Sequence, residues 1–109
     1  MPERTLQEVL TETYDKNPRV RINAIRELCP CELKTDIAVV WNRILELTQD
    51  PDTKVRQNVF HTLTDGSPKR CEAEVVVALE NMHNDADKKL RRRVHKTLAY
   101  YRATGKING

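Results

Sequence analysis

Glycine is scarce in this chain, with three in 109 residues, and aromatic residues make up only 5%. That shortage argues against an all-β fold, which draws on glycine-rich turns and on aromatic or β-branched alternation. No apolar run approaches the roughly 18 residues that a membrane-spanning helix needs. The opening Met1-Pro-Glu-Arg-Thr-Leu-Gln-Glu8 lacks the apolar centre of a signal peptide. Three cysteines are an odd number and make no disulfide framework. A reducing, cytoplasmic compartment and no membrane association are the expectations. No glycine-rich phosphate loop, Ser/His/Asp arrangement or H-E-x-x-H sequence is visible, so no enzyme class has its carriers and no cofactor is expected.

Hydrophobic residues make up 39% and charged residues 32%, a mixture suited to amphipathic helices with solvated outer faces. The net charge of +3 is unevenly placed. Residues 1–84 hold 11 Lys/Arg against 14 Asp/Glu, a balance of −3, while residues 85–109 hold 8 against 2, a balance of +6. At this length the chain reads as one domain, 1–109.

Its organising feature is repetition. Asp15-Lys-Asn-Pro-Arg-Val20-Arg21 returns as Asp50-Pro-Asp-Thr-Lys-Val55-Arg56 and again as Asp85-Ala-Asp-Lys-Lys-Leu90-Arg91, 35 residues apart each time. The register persists through Ala24, Val59 and Val94, and through Leu28, Leu63 and Leu98. A fixed period of this length indicates stacked units that bury their apolar faces only against one another. Each unit reads as a helix pair, with repeats at about 5–30, 36–65 and 68–104. Thr5-Leu-Gln-Glu8 is a capping box, Asn17-Pro18 a cap and first-turn proline, and Pro30 a stop. Thr35 or Asp36 caps the next helix, Asp65-Gly66-Ser67-Pro68 reads as a turn, and Ser67-Pro68 starts the helix after it. Asp85 is the expected cap of the last helix, and Gly105 its stop. The first helices align as Leu6, Trp41 and Val76, and as Val9, Ile44 and Leu79. Leu10 and Leu45 are matched by Glu80, a charge that suggests a less covered flank. Trp41 therefore reads as core rather than as a base-stacking platform.

The recurring Asp-x4-[Val/Leu]-Arg element, followed by a small or β-branched residue and then Leu, resembles the HEAT-repeat family. The period is shorter than that family's usual length of about 40–47. The tetratricopeptide Trp-x2-Leu-Gly-x2-Tyr signature is missing, and the element is not a pentatricopeptide pattern. The resemblance implies an all-α, right-handed α-solenoid of three helix-pair repeats with the second helices on its concave face. It also implies an Asp–Arg ladder of Asp15, Asp50 and Asp85 with Arg21, Arg56 and Arg91. Val20, Val55 and Leu90 would belong to the core. The iron-dependent hydroxylases built on such repeats use His-Glu ligands, which this chain lacks.

Cys29-Pro30-Cys31 is the one motif with metal character, supported only by the distant Cys71, His61 and His83. Zinc sites pair two such motifs, so Cys29 reads as a small core residue, Cys31 as an ordinary thiol, and no metal is expected. The stronger functional signal lies in the second helices. Residues 19, 23 and 26 share a face, and the 35-residue shift builds three columns: Arg19, Lys54, Lys89; Asn23, Asn58, Arg93; Arg26, His61, Lys96. None of the nine is acidic. A basic face of this kind suits an acidic protein or peptide and makes the chain a non-enzymatic adaptor. The alternative is nucleic acid bound through Lys88, Lys89, Arg91, Arg92, Arg93 and Lys96. Few repeats and exposed ends leave homodimerisation or a place in a larger assembly open.

Overall fold

The computed structural model describes residues 5–28 and 37–107. Every regular element among them is helical. The helices are α1 (Leu6–Glu12), α2 (Pro18–Leu28), α3 (Ala38–Glu46), α4 (Thr53–Gly66), α5 (Glu72–Asn81) and α6 (Lys88–Thr104). Short 3₁₀ turns extend α3 at Leu47–Gln49 and precede α5 at Lys69–Cys71. The expected roles of Pro30, Thr35 and Asp36 lie outside the described residues.

The helices form two layers. α1, α3 and α5 make one; α2, α4 and α6, which begin at residues 18, 53 and 88, make the other. The thinnest dimension is 18 Å, close to two helix diameters of about 10 Å. The arrangement is an α-solenoid of helix pairs. Its core runs between the layers without a break. Val9, Ile44 and Leu79 come from the first helices, and Ile25, Val59, Phe60, Leu63, Val94 and Leu98 from the second. Trp41 is 2% exposed and belongs to this core.

Local chemistry sets where each helix begins. The Thr5 hydroxyl accepts the Glu8 N–H, one half of the expected capping box, and donates to the Glu8 carboxylate in place of the reciprocal backbone bond. Asn17 Oδ1 accepts from Arg19 N at 2.9 Å. In the next two turns the caps are Asp52, accepting from Val55 N at 3.1 Å, and Asp87, accepting from Leu90 N at 2.9 Å. Asp85 is therefore not the cap of α6. It sits two residues earlier and accepts the Asp87 N–H, as Asp50 does for Asp52 and Asp15 for Asn17.

Three further expectations change. Asp65 and Gly66 are the last turn of α4 rather than a loop. The chain breaks at Ser67, whose ψ of 143° is the extended conformation that a following proline imposes. The helix expected from Ser67-Pro68 begins as the 3₁₀ turn and becomes α-helical only at Glu72. Val20 is half-buried, whereas Val55 and Leu90 are fully buried, because only the latter two are covered by a preceding helix pair. Leu10, Leu45 and Glu80 grade from buried through half-buried to exposed.

Between repeats the Asp and Arg side chains meet with an offset of one. The Arg21 fork grips the carboxylate of Asp50, Nε to Oδ2 at 2.9 Å and Nη2 to Oδ1 at 3.0 Å. Arg56 grips Asp85 in the same way, at 2.9 and 3.1 Å. The remaining nitrogen, Nη1, donates backwards to the backbone carbonyls of Asp15 and Asp50 respectively. Arg91 Nη1 donates to the Asp85 carbonyl at 2.8 Å. All three thus meet their own repeat's Asp at the backbone, and Arg21 and Arg56 also meet the following repeat's Asp at the carboxylate. The Arg21 and Asp50 side chains are only 13% and 5% exposed, so loss of one partner strands a buried charge. Asp50→Ala is expected to cost about 3 kcal/mol in urea unfolding. Asp15→Ala removes one exposed contact and is expected to cost about 1 kcal/mol or less. Equal costs for the two would show that the fork contributes nothing beyond the turn.

Candidate functional site

The helix starts at 18, 53 and 88 bring the three columns into register on the second-helix layer. Eight of the nine side chains are exposed: Arg19, Asn23, Arg26, Lys54, His61, Lys89, Arg93 and Lys96. Asn58 is half-buried, its Nδ2 donating to the Lys54 carbonyl at 2.8 Å, which leaves its carbonyl oxygen to accept. Asp65, exposed on the last turn of α4, bounds the surface.

The cationic end has relief. The Arg93 guanidinium carbon lies 5.4 Å from the centre of the Phe60 ring, within cation–π range. Beside it is a hollow of about 450 Å³ lined by Phe60, Thr64, Arg93, Lys96, Thr97 and Tyr100 and floored by Ile107. Gly105 makes this floor: its φ of +73° turns the chain at the end of α6, and Ile107 folds back to 5% exposure. The run Lys88 to Lys96 divides around α6. Arg91 is half-buried against the Asp85 carbonyl, while Lys89, Arg93 and Lys96 share the face with the hollow.

The opposite layer holds an interaction with no periodic signal. Arg43 of α3 reaches back to α1's turn. Its Nε donates to Thr13 Oγ1 and its Nη2 to the Thr13 carbonyl, both at 2.9 Å. Its guanidinium carbon lies 3.6 Å from the Tyr14 ring centre, and Nη1 pairs with Glu46 at 3.2 Å. Thr13 is fully buried. The positions 35 residues to either side of Arg43 are Glu8 and Ala78, so the repeat conceals it. The paired threonines Thr13 and Thr48, both buried, were the available signal. Cys29 and Cys31 fall outside the described residues, Cys71 is buried, and among the described residues no three His, Cys, Asp or Glu side chains converge as a metal site. No helix among them is long and apolar enough to cross a membrane.

Removing the Arg43 head while keeping its stem, as in Arg43→Met, is expected to destabilise the fold by about 2 kcal/mol. Tyr14→Leu is expected to cost about 0.5–1 kcal/mol, the worth of an exposed cation–π contact. Chemical denaturation measures both. A neutral Arg43→Met would show that the guanidinium only decorates the surface.

No curated protein and no solved structure matches the chain. A family model does match it, the one for HEAT repeats, over residues 4–99. That span contains the starts of the six described helices, both described Arg–Asp forks and all nine columned residues. Proteins of this kind are typically non-enzymatic scaffolds that mediate contacts between proteins. The chain belongs to the HEAT-repeat family.

Proposed function

We propose that this chain is a non-catalytic adaptor that docks an acidic protein or peptide on the face formed by α2, α4 and α6. The observation that carries this reading is the exposure of eight of nine columned side chains with no acid among them. A merely solvated face ordinarily mixes signs, as the rest of this chain does. The hollow beside Arg93 adds a second element of recognition. The exposed Tyr100 ring, backed by the buried Phe60 and Ile107, offers apolar contact within a cationic rim, which favours an acidic segment bearing one bulky apolar side chain over a uniform polyanion. Phosphate backbones reward charge alone, and part of the charge on α6 is committed inwards through Arg91.

The experiment is a binding titration against a library of acidic peptides with and without a central Leu or Phe, beside a single-stranded DNA oligonucleotide, each across a salt series. The Leu- or Phe-bearing acidic peptides are expected to bind best and to retain most affinity as salt rises. Charge reversal at Lys54, Lys89 and Arg93 together is expected to weaken them at least about 30-fold, at roughly 0.7 kcal/mol for each exposed contact. The same triple variant is expected to unfold within about 1 kcal/mol of the parent, since these are surface positions. Tighter binding of the oligonucleotide, with a steep salt slope, would reassign the face to nucleic acid. Peptide binding unchanged by the reversal would remove the face from consideration.

A further inference from the structure

The first-helix layer carries the same groove twice, once at each junction between repeats. Between α1 and α3 it is bordered by Leu10, Thr11, Tyr14 and Val39, and Arg43 lies in it. Shifted by 35 residues, the groove between α3 and α5 is bordered by Leu45, Glu46, Gln49 and Glu74, with Ala78 in the place of Arg43. This second groove has a volume of about 430 Å³.

The differences between the two change what an arginine would meet: Tyr14, which lies under the Arg43 guanidinium, becomes Gln49, and Glu46, which pairs with Arg43, becomes Asn81. Arg43 becomes Ala78, which removes the cation. Val39 becomes Glu74, which adds a carboxylate to the α5 wall, while Glu46, in the place of Thr11, borders both grooves. The acceptor chemistry is kept. Thr48 is buried like Thr13, and its hydroxyl donates to the Leu45 carbonyl at 2.7 Å, as Thr13 donates to Leu10 at 2.6 Å. A donating hydroxyl retains acceptor lone pairs. Arg43 Nε uses them at Thr13, whereas the methyl of Ala78 has nothing to donate to Thr48. Val77, 55% exposed beside the groove, adds an apolar shoulder.

We propose that the groove between α3 and α5 is a docking site for an arginine side chain carried by a partner polypeptide, its guanidinium on Thr48 as that of Arg43 is on Thr13 one repeat earlier and its charge met by Glu74. Arginine fits where lysine does not. At the first junction two nitrogens of one planar head reach the hydroxyl and the carbonyl of a single threonine, both at 2.9 Å, and an ammonium group cannot span that pair with fixed geometry. Glu74, on an exposed turn of α5, supplies the charge complement, while Glu46, which also borders the groove, is paired with Arg43. Val77 meets the aliphatic stem or an apolar neighbour in the partner segment. The site lies on the layer opposite the basic columns and favours the opposite charge, so it stands whether or not those columns bind an acidic partner.

The test is an NMR titration of the full chain with three capped dipeptides, Arg-Leu, Lys-Leu and Gln-Leu, at millimolar concentrations. Arg-Leu is expected to produce saturable shifts at the amides of Thr48, Gln49 and Ala78, with about three-fold or greater preference over Lys-Leu and little response to Gln-Leu. Ala78→Arg, which supplies the guanidinium from within, is expected to abolish the response. Glu74→Gln, a surface change that leaves the fold intact, is expected to weaken it about three-fold. Equal responses to all three dipeptides, no response to Arg-Leu, or an Arg-Leu response undiminished in both variants would each overturn the proposal.

Discussion

A planar guanidinium can meet a carboxylate along one edge and still have a nitrogen left to aim elsewhere. Arg21 and Arg56 use both capacities. The fork takes the next repeat's Asp, and the spare nitrogen takes the carbonyl that opens the preceding turn. The Asp that receives the fork also accepts an N–H from its own turn, which holds the following residue where it can cap the second helix. One side chain therefore ties the end of one turn, the start of the next and the angle between two helix pairs. Because these groups are nearly excluded from water, their mutual satisfaction is obligatory rather than optional.

From that tie follows a division between the layers. The second helices start at equal intervals and carry the longest continuous packing, through Val55, Val59, Val94 and Leu98. Their outward side chains are thereby held in columns on a rigid support, which suits recognition by several contacts at once. The first helices are shorter and their junctions differ from one another. One is filled by Arg43 over Tyr14, the other is open and walled by carboxylates. A single stack thus has a regular cationic side and an irregular side with an open groove bordered by Glu46 and Glu74.

Much of this was legible in the sequence because the period exposes it. The helix pairs, the buried stripes and the three columns follow from the 35-residue shift alone. What escaped was whatever does not repeat or whatever two neighbouring residues could each have done. Asp85 and Asp87 are both plausible caps by residue type, and only the geometry assigns the cap to Asp87 and the fork to Asp85. Gly66 looked like a turn residue, yet the packing of α4 offsets the roughly 1 kcal/mol that a helical glycine costs, and Pro68 sets the break instead. Arg43 is hidden because its counterparts are Glu8 and Ala78. Ile107 is hidden because it follows the glycine that ends the last helix, where burial is not expected.

The one-repeat offset of the fork also acts as a rule of modularity. Since Arg21 and Arg56 each read the Asp that opens the turn into the second helix of the following repeat, excising or duplicating a block of one whole period leaves each remaining fork facing an Asp of the same geometry. An insertion shorter or longer than the period places some other side chain before a buried guanidinium. The linkage thus tolerates change in the number of repeats while penalising change in their length, and arrays built on it are free to grow or shrink by copying whole units.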